Sequence, residues 1–162
     1  MAMSFHDAYE LYFSRVYAYA LYRVGERAAA QDAAARTFER ALAAWPRFDP
    51  GRGGVDAWLF AIARAAVADH FRERSRAPAA IEDLEPCDGS PNAEQRALAS
   101  EDLAQLESAL GKLDERTREI LGLKFGARLT NRQIAAQIDL DENHVAVLVY
   151  RAVRRLKGEL IR

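Results

Sequence analysis

Between Thr130 and Leu156 the sequence specifies two helices and a sharp angle between them, and few folds accept that pattern. Thr130-Asn-Arg-Gln133 is a capping box, in which a threonine hydroxyl and a glutamine side chain satisfy the free amides of a helix start. The short helix that follows turns Ile134, Ala135 and Ile138 inward. Asp139 occupies the turn, Leu140 plugs the angle, and Asp141 caps a longer helix carrying Val145, Val149, Ala152 and Leu156 at steps of four, three and four. With the small Ala135 where the helices cross, the pair reads as a helix-turn-helix. A plain helical hairpin would show the same apolar steps without needing the small residue and the tight turn together.

The N-terminal half is also helical by period. Ser4 and Asp7 can cap a helix whose Phe5, Tyr9, Tyr12, Val16 and Tyr19 recur at three- and four-residue steps until Gly25. A second, alanine-rich helix runs from about Arg27 to Trp45 and stops at Pro46, because proline disfavours helical conformation in the residue before it. The stretch Pro46–Gly54 is a loop. From Val55 a third helix carries Trp58, Leu59, Ile62 and Ala66 on one stripe, Arg64, Ala68 and Arg72 on another, and ends in Arg72-Glu-Arg-Ser-Arg76. The expected class is therefore all-α: two small helical domains, residues 1–76 and 100–162, joined by a linker over 77–99, with a helix-turn-helix in the second.

Charge supports that division. Residues 1–76 hold 11 basic against 9 acidic residues, 77–99 hold 1 against 5, and 100–162 hold 11 against 10. The middle segment takes the acid excess and three of the five prolines, which fits a linker. With 162 residues the chain has room for one ordinary domain or two very small ones, so a large multidomain enzyme is excluded. No apolar run approaches the roughly 20 residues that cross a bilayer, so no membrane insertion is expected. The opening MAMSFHDAYE lacks the basic region and apolar core of an export signal, and the single Cys87 has no internal disulfide partner; both favour a cytoplasmic protein. His6, His70 and His144 lie far apart, and no phosphate-binding glycine fingerprint or metal-ligand pair is present, so we expect no enzyme, no cofactor and no metal.

Several runs, taken in order, resemble the extracytoplasmic-function (ECF) sigma factors of bacterial RNA polymerase. They are Asp7-Ala-Tyr-Glu-Leu-Tyr-Phe13, Arg15-Val-Tyr-Ala-Tyr-Ala20, Ala57-Trp-Leu-Phe-Ala-Ile-Ala-Arg64, Asp69-His-Phe-Arg72 and Leu113-Asp-Glu-Arg-Thr-Arg-Glu-Ile-Leu121. The resemblance implies that the chain directs promoter recognition and transcription initiation. It makes residues 1–76 the part that docks on the polymerase clamp and opens the minus-ten element, and residues 100–162 the part that binds the minus-thirty-five element. Implied partners are core RNA polymerase, promoter DNA and an anti-sigma factor or other regulatory protein. The alternative is a sigma-like interaction module that holds such a regulator with little promoter readout. Reach is no obstacle: 23 linker residues span at most about 75 Å, against about 60 Å between the two elements at 3.4 Å per base pair.

The resemblance assigns polymerase contact to Asp32, Arg36, Thr37 and Arg40. The family's run of Asp, two variable residues, Gln, Glu, Thr, Phe is Asp32-Ala-Ala-Ala-Arg-Thr-Phe38 here, so Ala35 and Arg36 depart from it, the latter reversing a charge. Such a reversal at a complementary interface costs several kcal/mol. DNA contact falls on Arg47, Phe48 and Arg52 of the loop, where an aromatic ring can stack on an unpaired base and arginines can hold phosphates. A competing reading packs Phe48 back on the helices. Arg64, Arg72, Arg74 and Arg76 would follow phosphates along the third helix, although the asparagine frequent after Arg64 in the family is Ala65 here.

The second block departs further. Early residues of the second helix of such a pair read base edges. Where the family usually has Thr and then Val-Lys-Ser-Arg, this chain has His144 and then Val145-Ala-Val-Leu148. Asn143, His144 and Tyr150 remain as polar readers, with Arg151 and Arg154 placed to touch backbone. Because the run Val145–Tyr150 is apolar on every side, this reading favours a protein partner or internal cover at this helix over base readout.

Overall fold

The first helix begins where its capping box places it. In a computed structural model that describes residues 2–76 and 93–161, the latter from 93 to 100 as backbone alone, Ser4 accepts from the Asp7 amide at 3.1 Å and the Asp7 carboxylate accepts from the Ser4 amide at 3.2 Å. Helix α1 (Phe5–Val24) ends at Gly25, whose φ of 74° is the left-handed conformation that closes helices. Helix α2 (Arg27–Ala44) follows directly and lays Ala30, Ala33, Ala34 and Ala41 against its neighbours, their small side chains letting the axes approach. Two short 3-10 turns, Trp45–Arg47 and Pro50–Arg52, make the loop, and α3 (Val55–Arg76) completes a three-helix block in which α2 packs against both α1 and α3.

Most of the acidic linker, residues 77–92 with Cys87, lies outside the described residues. Helix α4 (Ala93–Gly111) already begins inside the stretch read as linker, before the expected start at Ser100. After it come α5 (Glu115–Leu121), a π-helical turn over Gly122–Gly126, α6 (Asn131–Ile138) and α7 (Glu142–Ile161). The described residues contain helices and turns and no strand.

The helix-turn-helix is present as read. Thr130 accepts from the Gln133 amide at 3.2 Å, and the Gln133 side-chain oxygen accepts from the Thr130 amide at 2.9 Å. Asp139 takes the left-handed turn at φ 55°, Leu140 donates its amide to Ala135, and Val145 is fully buried where α7 starts.

The blocks do not stand apart. Val16, Tyr19 and Phe60 of the first share one continuous core with Leu121, Leu123 and Ile134 of the second. Helix α1 lies between α2 on one side and the α5 and π-turn segment on the other. Gly126 allows this: a Cβ there would sit 2.7 Å from the Tyr19 backbone nitrogen. The period of α1 announces an apolar face for its own block, but a second covered face built on small residues leaves no such signal.

Candidate nucleic-acid interface

Four surfaces bear on the residues singled out in the sequence. On the first, α2 and α3 are stapled by charge. Arg36 makes a bidentate contact with Glu73 at 2.7 and 2.8 Å and also reaches Asp32 at 3.5 Å, while Arg40 reaches Asp69 at 2.6 Å. The reversed charge at position 36 therefore has an intramolecular partner. The bond from Arg40 holds the Asp69 carboxyl below its ordinary range, and the bond from Arg36 does the same for Glu73. Thr37 is buried and donates its hydroxyl to the Ala33 carbonyl at 2.7 Å, so it acts through the shape of α2 and offers no polar atom outward. Asp32 remains exposed.

On the second surface, the loop holds Phe48 half-buried between the two tryptophans, with ring centroids 5.4 Å from Trp45 and 4.9 Å from Trp58. This is the packed-back arrangement, with Arg47 and Arg52 exposed on either side. Asp49 supports the loop by accepting from the Gly51 amide at 2.9 Å. At the far end of α3, Arg72, Arg74 and Arg76 form an exposed basic terminus, of which Arg72 touches Asp69 at 3.3 Å.

The third surface is the outer side of α7. At about 100° per residue, Asn143, Val147, Tyr150 and Arg154 fall on one line, directly opposite buried Val145 and Ala152. All four are exposed, Tyr150 at 63% and Val147 at 46%, and the Arg154 guanidinium lies 5.8 Å from the centre of the Tyr150 ring. His144 and Arg151 flank the line and are exposed. Leu148 packs against the core with Val149, so internal cover, one of the two readings of the apolar run, accounts for part of it and leaves Val147 outside.

The fourth surface, the seam between blocks, is one that sequence reasoning missed. Glu119 on α5 sits at its centre, with Arg64 at 2.7 Å, Arg23 at 2.5 Å and the Tyr19 hydroxyl donating at 2.8 Å. Burial first, and the Glu119 charge second, push the Tyr19 phenol above its ordinary range, so it stays a donor. Arg64 also donates to the Gln137 carbonyl at 2.5 Å; the residue expected on DNA phosphates is therefore engaged within the molecule. Around this centre, Gln133 donates to Asp56 and Gln137 to the Ala57 carbonyl, both at 2.6 Å, docking α6 on the start of α3. Arg15 donates to the Ala127 carbonyl at 2.7 Å and Arg118 to the Tyr22 carbonyl at 3.0 Å. Tyr19 and Glu119 stand 100 positions apart in sequence, and no spacing rule joins them.

Among the described residues no group of three or more His, Cys, Asp or Glu side chains converges as a metal site would require, and no helix is long and apolar enough to cross a membrane.

Comparison with known proteins gives this geometry a context. Residues 8–77 match the family model for sigma-70 region 2, and residues 103–156 match that for sigma-70 region 4. The chain is 35% identical over 158 residues to the ECF RNA polymerase sigma factor BldN of Streptomyces coelicolor, a match covering 96% of this chain and 60% of that protein. It is 34% identical over 134 residues to the ECF RNA polymerase sigma factor ShbA of Streptomyces griseus subsp. griseus, covering 79% and 70% respectively. In fold it is similar to the sigma factor RpoE as seen in complex with the anti-sigma factor NepR from Bartonella quintana, with a TM-score of 0.71, 22% identity and 96% of each chain covered.

Proposed function

This chain belongs to the ECF sigma factors of bacterial RNA polymerase, and from that premise we propose that it binds core polymerase and directs it to promoters. Residues 1–76 dock on the polymerase and open the downstream element; residues 100–162 hold the upstream one. The observation that carries the reading is the second helix of the angled pair, which keeps Asn143, Tyr150, Arg151 and Arg154 exposed on the side away from the core. A helix of that kind enters the major groove with its early residues on base edges and its later cations on phosphates.

In the first block, Asp32, Arg36 and Arg40 form the polymerase-facing rim of α2, with Thr37 fixing the helix beneath them. Arg47, Arg52, Arg72, Arg74 and Arg76 supply phosphate contacts for the opened strand. Phe48 stacks on an unpaired base only after leaving its place between the tryptophans, and Arg64 reaches phosphate only after leaving Glu119. The protein catalyses no reaction itself and works in the cytoplasm, where its polymerase is. An anti-sigma factor or similar regulator is the third partner, a reading that rests on family membership. The modest charge of either block gives weak affinity for DNA alone, so polymerase supplies most of it.

The test is a run-off transcription assay with purified protein, core polymerase and a promoter library. Discrete transcripts that require the protein support the initiator. Absence of transcripts together with stable capture of a protein regulator would favour the interaction module.

A further inference from the structure

We propose, resting on the sigma reading above, that α7 recognises the upstream element through thymine methyl groups, with Val147 as the specificity-determining residue and Ala146 beside it. The observation is the outermost line of that helix. Asn143, Val147, Tyr150 and Arg154 project opposite the buried side, and Ala146, next to Val147, is exposed as well. The surface that enters the groove thus presents the methyl groups of Ala146 and Val147 beside the single polar reader Asn143. In the major groove the thymine 5-methyl is the one apolar feature a base pair presents, and small apolar side chains are its complement.

Charge selects duplex DNA over a protein as the occupant. Val145, Leu148 and Val149 are covered from within, so the apolar atoms exposed in the first turns of α7 are those of Ala146, Val147 and the Tyr150 ring, while Leu160 and Ile161 are exposed only at its C-terminal end. Toward the C-terminus the same side of α7 carries Arg151, Arg154 and Lys157, none of which pairs with a carboxylate among the described residues. Arg132, on the preceding α6, is exposed as well. The order along the helix is a polar reader, then methyls, then cations. Asn143 lies at the deep end, and Tyr150 holds Arg154 over its ring toward the backbone. Asp141 and Glu142 at the helix start add no attraction for phosphate but can accept from cytosine amino groups.

The experiment uses the full-length protein assembled with core polymerase. A promoter is selected from a randomised duplex library, and each thymine of its upstream element is then replaced by deoxyuridine, which lacks only the 5-methyl. Holoenzyme binding is expected to weaken about fourfold for each methyl that Val147 covers, the factor that follows from burying one methyl group. Val147→Ala should abolish most of the thymine preference while binding the uridine template as the parent does; Val147→Thr should retain part of it. Equal binding of the thymine and uridine templates by the parent protein would overturn the inference and leave the sigma reading intact. So would an unchanged preference in Val147→Ala, or a Val147→Arg variant that keeps the preference while losing capture of a protein regulator. A library that yields no promoter at all would overturn the sigma reading and this inference with it.

Discussion

Position 36 illustrates how much a single residue can reveal and conceal. The sequence has a cation where the resemblance to the family leads one to expect an acid, and on that ground alone the expected polymerase contact looks damaged. The structure supplies the missing half: Glu73 and Asp32 surround Arg36, so its charge is balanced within the block. The carboxylates of Glu73 and Asp69 are held below their ordinary values of 4.5 and 3.8. A depressed value means that their stabilisation is complete above those figures and is lost as pH falls through the lower folded values. Acid titration followed by circular dichroism should therefore show α2 and α3 loosening below about pH 4, and Glu73→Gln should flatten that dependence. Phe48 gives a second residue-scale test. The protein has two tryptophans, and both flank this ring, so intrinsic fluorescence reports the loop alone. Phe48→Ala should cost about 1–2 kcal/mol in chemical denaturation and shift the emission. If the ring leaves to stack on an opened strand, promoter opening by the parent protein should produce the same shift.

At the level of elements, legibility follows the range of the interaction. Both helix-start caps, the stop at Gly25, the turn at Asp139 and the span of α3 could be read because a helix end is decided within four or five residues. The inward positions of α7 could be read from its period; which of Val147 and Leu148 would stay outside could not, because that depends on the tilt of a packed helix. The π-helical turn was invisible for a similar reason: its glycines serve α1, more than 90 residues earlier. Two glycine substitutions separate these cases. Gly158→Ala adds a methyl to open space on α7, where alanine is the better helix former, and should raise stability by about 0.5–1 kcal/mol. Gly126→Ala drives a methyl against the Tyr19 backbone, which cannot give way as a side chain would, and should cost about 3 kcal/mol. Denaturant midpoints of the two variants should move in opposite directions.

The whole molecule is governed by a contact that joins what the sequence divides. Composition, charge and the acidic middle segment all describe two blocks on a tether, and each block does have its own helical pattern; the surface that closes them is spread over Arg15, Tyr19, Arg23, Arg64 and Glu119, which no local pattern connects. Under the proposed function closure has a cost: Arg64 cannot hold Glu119 and a phosphate together, and α6, whose place in a helix-turn-helix is across the DNA backbone, is hydrogen-bonded to α3 through Gln133 and Gln137. The outer line of α7 stays open throughout. Glu119 is the point at which the arrangement is most vulnerable: replacing it with alanine leaves two guanidinium groups facing each other, largely screened from water, with Arg23 only 14% exposed. Removing one partner of a buried ion pair costs about 3–5 kcal/mol, and the half-open Arg64 places this site near the lower figure. Glu119→Ala should therefore separate the blocks without unfolding them, raising the radius of gyration in small-angle scattering while the helical circular dichroism signal is kept. Glu119→Gln, which can still accept from Tyr19 and one arginine, should lie between the two. A Glu119→Ala protein as compact as the parent would show that the close packing of Gly122 and Gly126 on α1 holds the blocks by itself, and in that case Gly126→Ala is the variant that should open them.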